Sequence, residues 1–218
     1  IYVTAGAILV GVPIGLLTAI YMSKFASPRI NKVMLPAVQL LAGIPSVVYG
    51  LVGMLVLVPA IRKTFHLPDG ASLFAAIIVL AVMILPIITS VSRDIFMQTP
   101  RLQEEAAIGL GATKWEMIKL AVLPFGKSGI VSASMLGLGR ALGETMAVLM
   151  ILSPGLTYSI KLLRASQNQT IAANIAAQYP EADPNIGVPV LIGTGLVLFV
   201  ITFLVNFVAR KITEKASA

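Results

Sequence analysis

Five apolar runs with almost no charge decide what this chain can fold into. Ile1 to Met22, Val33 to Pro59, Ala71 to Val91 and Val188 to Ala209 contain no Asp, Glu, Lys or Arg; Ser128 to Ile160 contains two, Arg140 and Glu144. A helix needs about 20 apolar residues to cross ~30 Å of hydrocarbon, and each run is long enough. Only 11% of the chain is charged, against about 25% for a soluble domain. Buried helices of a large soluble core would need polar helices to cover them, and the sequence has none to offer. The expected fold is therefore an all-α membrane protein, a polytopic helical bundle. Its spans fall at about 1–22, 33–59, 71–91, 128–152 and 188–209, in a single domain over 1–218. The fourth run leaves the membrane near Pro154.

Placement of Lys and Arg sets the expected orientation. Lys24, Arg29 and Lys32 follow the first span; Arg93, Arg101, Lys114, Lys119 and Lys127 follow the third; Arg210, Lys211 and Lys215 follow the fifth. These eleven mark the cytoplasmic side. Only Arg62, Lys63, Lys161 and Arg164 fall on the other. The formal net charge of +7 is thus mainly a topology signal, and nucleic-acid binding is not expected. There are no cysteines, which excludes disulfides and thiolate metal sites. The chain opens at Ile1 inside an apolar run, outside the cytoplasm. That start, and the odd number of spans, read as a fragment whose leading helix is missing.

The cytoplasmic loop 92–127 is the largest polar stretch between spans. Thr99 suits an N-cap and Pro100 the first helical position, for a short helix to about Leu110. Gly111 can take the left-handed conformation that ends it. Thr113 and Glu116 form a T-x-x-E capping box for a second short helix, which Pro124 is expected to stop. The small residues Ala106, Ala107 and Gly109 near the turn would let another backbone approach. The alternative is an amphipathic hairpin lying on lipid headgroups. Trp115 is either an interfacial anchor or part of the same contact surface. The outside loop 153–187 is where a soluble binding protein could dock, or a plain interfacial helix.

Arg140 and Glu144 are the only charges within a span, and charge in hydrocarbon is costly enough to suggest function. Read as one helix, their i,i+4 spacing puts them in ion-pair reach on one face. Ala133, Gly137 and Ala147 continue that stripe, which could border a cavity; Gly139 and Gly143 would suit close helix packing. The second span has a matching small and polar stripe of Gln39, Gly43, Ser46, Gly50 and Gly53, broken near Pro45. A guanidinium offers paired donors to a tetrahedral oxyanion, and a carboxylate can accept from the O–H of hydrogenphosphate, which sulfate lacks. Arg140, Glu144, Thr145, Gln39 and Ser46 are therefore the candidate pathway residues. The competing reading is that Glu144 only neutralises Arg140 and locks two helices. Thr145 is the weaker candidate, since a membrane Thr usually bonds its own backbone.

Glu105-Ala106-Ala107 with Gly111, and then Leu123-Pro124, resemble the loop by which permease subunits of ATP-binding-cassette importers grip their ATPases. Ala121 stands where that pattern has Ile. The run from Gly137 to Val148 (Gly-Leu-Gly-Arg-Ala-Leu-Gly-Glu-Thr-Met-Ala-Val) is more specific. With Gly43 to Gly50 and Thr170 to Ile175, it resembles the PstC-type permeases of bacterial phosphate importers, whose PstA-type sisters share much of it. The resemblance implies the type I importer permease fold, MetI-like, in a bacterial inner membrane. It implies a coupling role for Glu104, Glu105, Ala106, Ala107, Gly109 and Gly111. It also implies a PstA-like permease, a dimer of PstB-like ATPases and a periplasmic PstS-like phosphate-binding protein as partners.

The sequence has no phosphate loop, no H-E-x-x-H, no G-x-S-x-G and no clustered carboxylates. His66 is alone in its loop. Hence no catalytic residue, metal site or cofactor is expected, and ATP is expected on partner subunits. Within the class, the rival substrates are molybdate and sulfate. From other classes come a secondary transporter or channel built on Arg140 and Glu144, which would leave the large loop without a task, and a structural scaffold.

Overall fold

The computed structural model describes residues 1–152, 162–163 and 169–217; Lys161, Arg164 and most of the first half of the outside loop 153–187 lie outside the described residues. Every regular element among these is helical. The helices are α1 (Tyr2–Ile20), α2 (Pro28–Gly43), α3 (Ser46–Val52), α4 (Val58–Phe65), α5 (Leu73–Met97), α6 (Arg101–Gly109), α7 (Lys114–Met117), α8 (Leu123–Leu142), α9 (Met146–Ile151), α10 (Ile171–Gln178) and α11 (Gly187–Ser217). Wider π-turns at Tyr21–Phe25, Gly53–Leu57 and Ile118–Val122 extend α1, join α3 to α4 and join α7 to α8.

Around α5 the other helices are arranged. Ser72 caps it, its Oγ accepting from the Ala75 N–H at 3.3 Å, and Leu80, Met83, Ile84 and Ile88 along its length are fully buried. Hydrocarbon gives apolar side chains no reason to leave it, so helices in a membrane are held by close packing instead. Here α1 offers a glycine face. A Cβ at Gly6, Gly11 or Gly15 would lie 2.7, 2.9 and 2.9 Å from Ile77, Ile84 and Ile88. The isoleucines thus seat directly on the α1 backbone, and Thr89 Oγ1 donates to the Gly15 carbonyl at 3.3 Å across the contact. On its other side α5 receives α8, where a Cβ at Gly137 would meet Ile88 at 2.9 Å.

The outer surface is apolar, the reverse of a soluble protein. Leu9, Phe199 and Phe203 are exposed, and the stretch Gly187–Val208 is hardly buried at all. Five helical stretches are long and apolar enough to cross a membrane: Tyr2–Phe25, Ser46–Phe65, Leu73–Met97, Lys114–Leu142 and Gly187–Val208.

Two of these differ from the expected spans. The run 33–59 is not one helix. The chain turns extended at Ile44 and Pro45, with ψ of 129° and 142°, because a residue before proline is pushed out of the helical region. The crossing stretch therefore begins at Ser46. The expected span 128–152 is shifted the other way. One helical stretch begins at Lys114, passes through Pro124 and ends at Leu142, and α9 is a separate piece. Pro124 does not stop the helix, since the π-turn just before it uses an i→i+5 bond from Leu123 N–H to the Ile118 carbonyl, loosening the ladder where proline lacks a donor.

Candidate coupling surface and intramembrane charged site

At one end of the bundle, α6 and α7 form the expected helix-turn-helix. Entry into α6 is one residue later than the sequence suggests. Pro100 occupies the N-cap, with ψ 128°, and no side chain caps the helix. Thr99 is buried, its hydroxyl lacking a partner among the described residues. The exit is as expected. Gly111 has φ +91°, Gly111 N–H donates to Ile108 at 2.9 Å and Ala112 N–H to Ala107 at 3.1 Å. Those two bonds with a left-handed residue are a Schellman motif, and glycine supplies the left-handed residue without a Cβ penalty. Thr113 and Glu116 then close a reciprocal capping box: Glu116 Oε2 accepts from Thr113 N–H at 2.8 Å, and Thr113 Oγ1 accepts from Glu116 N–H at 3.3 Å.

The two glutamates of this motif part company. Glu105 is exposed together with Ala106 and Gly109, while Ala107 is half-buried. Glu104 turns inward and forms an ion pair with Lys24 at the end of α1. Lys24 reads in the sequence only as a topology charge; nothing in a local pattern connects residues so far apart. Leu102 and Leu110 are 78% and 91% exposed. Between α6 and the α7–α8 rod lies an open groove of about 1040 Å³, lined by Ala106, Leu110, Glu116, Lys119 and Leu120 among others. The polar, tightly capped turn thus carries an exposed apolar rim.

The charged site is at the other end of the same rod. Arg140 lies in the last turn of α8, which ends at Leu142; Gly143 to Thr145 are not helical. This overturns the expected i,i+4 pair. Among the described residues the ion pairs are Lys24–Glu104 and Arg93–Asp94, and Arg140 with Glu144 is not one of them. Glu144 is 8% exposed, and its Oε1 accepts from the Ala147 N–H at 3.0 Å. It satisfies a backbone donor at the start of α9, as capping side chains do. Arg140 is half-buried, and its Nε is buried without a partner among the described residues. A guanidinium left this way has donor capacity to spare.

The small-residue stripes also exchange roles. Ala133, Gly137 and Ala147, expected beside a cavity, are packed tight, while Gly139, expected in helix packing, faces open space and Gly143 meets only its own helix backbone. In the second run, Gln39 is exposed on α2, Gly43 has nothing near it, and Ser46 is half-buried at the start of α3. A Cβ at Gly50 would lie 2.8 Å from Ala147 Cα, and one at Gly53 would meet Val79 at 2.8 Å and Ile151 at 3.0 Å. The expected stripe is thus cut by the break at Pro45, and its second half holds α3 against α9 and α5. Thr145 donates to the Gly143 carbonyl at 3.1 Å and lines a cleft of about 430 Å³ with Ala172, Ile175, Tyr179 and Leu198. Among the described residues no cluster of His, Cys, Asp and Glu could hold a metal ion.

Comparison with known proteins places these features. Residues 11–217 match the family described as binding-protein-dependent transport system inner membrane component. The chain is 42% identical over 228 residues to the phosphate transport system permease protein PstC 2 of Mycobacterium tuberculosis, covering 94% of this chain and 69% of that one. It is 36% identical to the phosphate transport system permease protein PstC of Haemophilus influenzae, covering 98% of this chain and 73% of the relative. In three dimensions it resembles an inward-facing form of the MetNI methionine ABC transporter, with TM-score 0.71 at 20% identity, over 99% of this chain and 90% of that one.

Proposed function

We propose, for a chain that belongs to the family of binding-protein-dependent transport system inner membrane components, the role of permease subunit in an ATP-driven phosphate importer. It is a multi-pass inner-membrane protein with the fold of importer permeases, and the family works with an ATPase and a substrate-binding protein. The observation that carries phosphate as the substrate is 36–42% identity, over nearly the whole chain, to proteins named phosphate transport permeases. The partners are then a PstA-like permease, two PstB-like ATPases and a PstS-like binding protein. ATP is bound and hydrolysed on the ATPases, and the part of this chain is the path.

The mechanism follows from the rod. The helical stretch from Lys114 to Leu142 is 29 residues, about 43 Å at 1.5 Å per residue. Its first residue adjoins the coupling turn and its last turn carries Arg140. Closure of the ATPases against Glu105, Ala106 and Gly109 tilts this rod and opens the path at Arg140 to one side of the membrane and then the other. Arg140 meets phosphate with the charge and paired donors of its guanidinium. Glu144 has one oxygen committed to Ala147 and sets the position of α9. Its other oxygen is left to accept from the O–H of hydrogenphosphate, which sulfate lacks.

The test is uptake of radiolabelled phosphate by cells expressing the chain with its partners, in competition with sulfate and molybdate. Competition by either oxyanion at equal concentration, with no preference for phosphate, would remove the substrate assignment. Orientation is tested separately. Lys32 and Lys114 are exposed at the coupling end and Lys63 at the opposite end. Cysteines at Lys32 or Lys114 are expected to escape an impermeant thiol reagent in intact cells, and one at Lys63 to react. The chain has no native cysteine to confuse the result, and the reverse labelling would invert the topology.

A further inference from the structure

We propose that the π-turn Tyr21–Phe25 is a second coupling joint, in which Lys24 ties the coupling helix α6 to the end of α1 so that the two move as one body. The inference rests on the coupling role proposed above and extends it from α8 to the α1–α5 pair.

Three different contacts converge on this one turn. Lys24 Nζ pairs with Glu104, and their side chains are only 9% and 19% exposed, so water screens the pair far less than a surface salt bridge. Lys114 Nζ, the first residue of α7, lies 5.4 Å from the centre of the Phe25 ring, within cation–π range. Asn31 on α2 donates through Nδ2 to the Met22 carbonyl at 2.9 Å. Underneath, Ala19 and Ile20 of α1, Phe96 of α5 and Met117, Ile118 and Val122 of the α7–α8 rod form one buried cluster, with Ala107 of α6 packed against it. The coupling helix is therefore anchored on both sides. Ala107 fastens it to the rod and Glu104 fastens it to α1.

The widened turn matters to this geometry. A π-turn inserts one residue, about 100° of helical register, and the bond from Ala26 N–H to the Tyr21 carbonyl at 2.8 Å closes it. Lys24 and Phe25 face α6 and α7 because of that insertion. Beyond the turn, α1 runs back along α5 through its glycine face, where displacement of one helix cannot leave the other behind. A push on α6 thus reaches both the rod that carries Arg140 and the helix pair at the centre of the fold.

The complex with its ATPases is tested in proteoliposomes, with spin labels on Tyr21→Cys and on Arg101→Cys, an exposed position of α6 away from the coupling residues. In the parent the distance between them is expected to change by less than about 2 Å between nucleotide-free and ATP-bound states, and by more than about 5 Å with Lys24→Gln, the step of a helix slipping one turn. Phosphate moved per ATP hydrolysed is expected to fall at least about tenfold in Lys24→Gln, from the loss of one charge-assisted contact. The exchange Lys24→Glu with Glu104→Lys is expected to restore it to within about threefold, since it keeps the pair in the same shielded place. Labels that separate on ATP binding in the parent overturn the proposal. So does a Lys24→Gln complex that keeps its phosphate per ATP, or an exchange that fails to rescue, including by failing to assemble. A parent that moves no phosphate but holds the fixed distance would remove the substrate assignment and leave the joint standing.

Discussion

Replacing Gly109 with Trp is expected to leave the subunit folded and inserted but to stop transport. Gly109 closes α6, is exposed, and has nothing within 4 Å of where a Cβ would sit. Within the chain the new Cβ therefore meets nothing, and helix propensity slightly favours Trp over glycine. Any loss must come from a body outside this chain. Forcing an indole into a close-packed contact costs about 1–3 kcal/mol, or roughly 5- to 150-fold in binding, and misplacing a drive helix removes turnover with it. Uptake and co-purification of the ATPase are measured together, and both are expected to fall by at least about tenfold. Glu105→Arg, on the same exposed face, is expected to do the same through charge. Gly111→Val is a different kind of change. At φ +91° a β-branched residue is strained in the chain itself, so its losses would start with the turn's own geometry. Normal uptake and normal ATPase binding by Gly109→Trp would remove this turn from the coupling surface.

Why the turn was legible in the sequence, and the charged site was not, has a physical reason. The turn is built from local rules. A glycine at C′ and a T-x-x-E box together span six residues, so Gly111, Thr113 and Glu116 announce themselves. Long apolar runs are equally local, and five of them gave five crossing stretches. The i,i+4 reading of Arg140 and Glu144 assumed an unbroken helix. It failed because a carboxylate can satisfy a backbone N–H better than it can extend a ladder, and Glu144 does so at Ala147. The small-residue stripes failed for another reason. Small residues admit either a close neighbour or an open path, and only the neighbours' positions tell which. Gly50 met Ala147, while Gly139 met nothing. Lys24 and Glu104 were both visible, yet 80 residues separate them, and only the fold brings them together.

Arg140 and Glu144, once separated, are expected to respond to mutation in opposite ways. Glu144→Gln keeps a carbonyl oxygen where Oε1 accepts from Ala147, so α9 keeps its start and uptake is expected to stay within about threefold of the parent. Glu144→Ala removes the acceptor and costs about 1 kcal/mol of local stability. Arg140→Gln also keeps a polar side chain, but it loses the charge and the paired donors. Hydrogen bonds to a charged group are worth about 1.5–3 kcal/mol each, and losing two is about 100-fold or more in phosphate passage. The exchange Arg140→Glu with Glu144→Arg fails on two counts at once. Arginine has no acceptor for the Ala147 N–H, and a carboxylate at position 140 repels the anion. That exchange therefore cannot separate a structural pair from a pathway, whereas the two glutamine variants can. The measurement is phosphate uptake by assembled complexes, scored against the amount of subunit in the membrane. Loss of uptake in an assembled Glu144→Gln complex would show that the carboxylate charge itself is needed, and normal uptake with Arg140→Gln would take Arg140 out of the path.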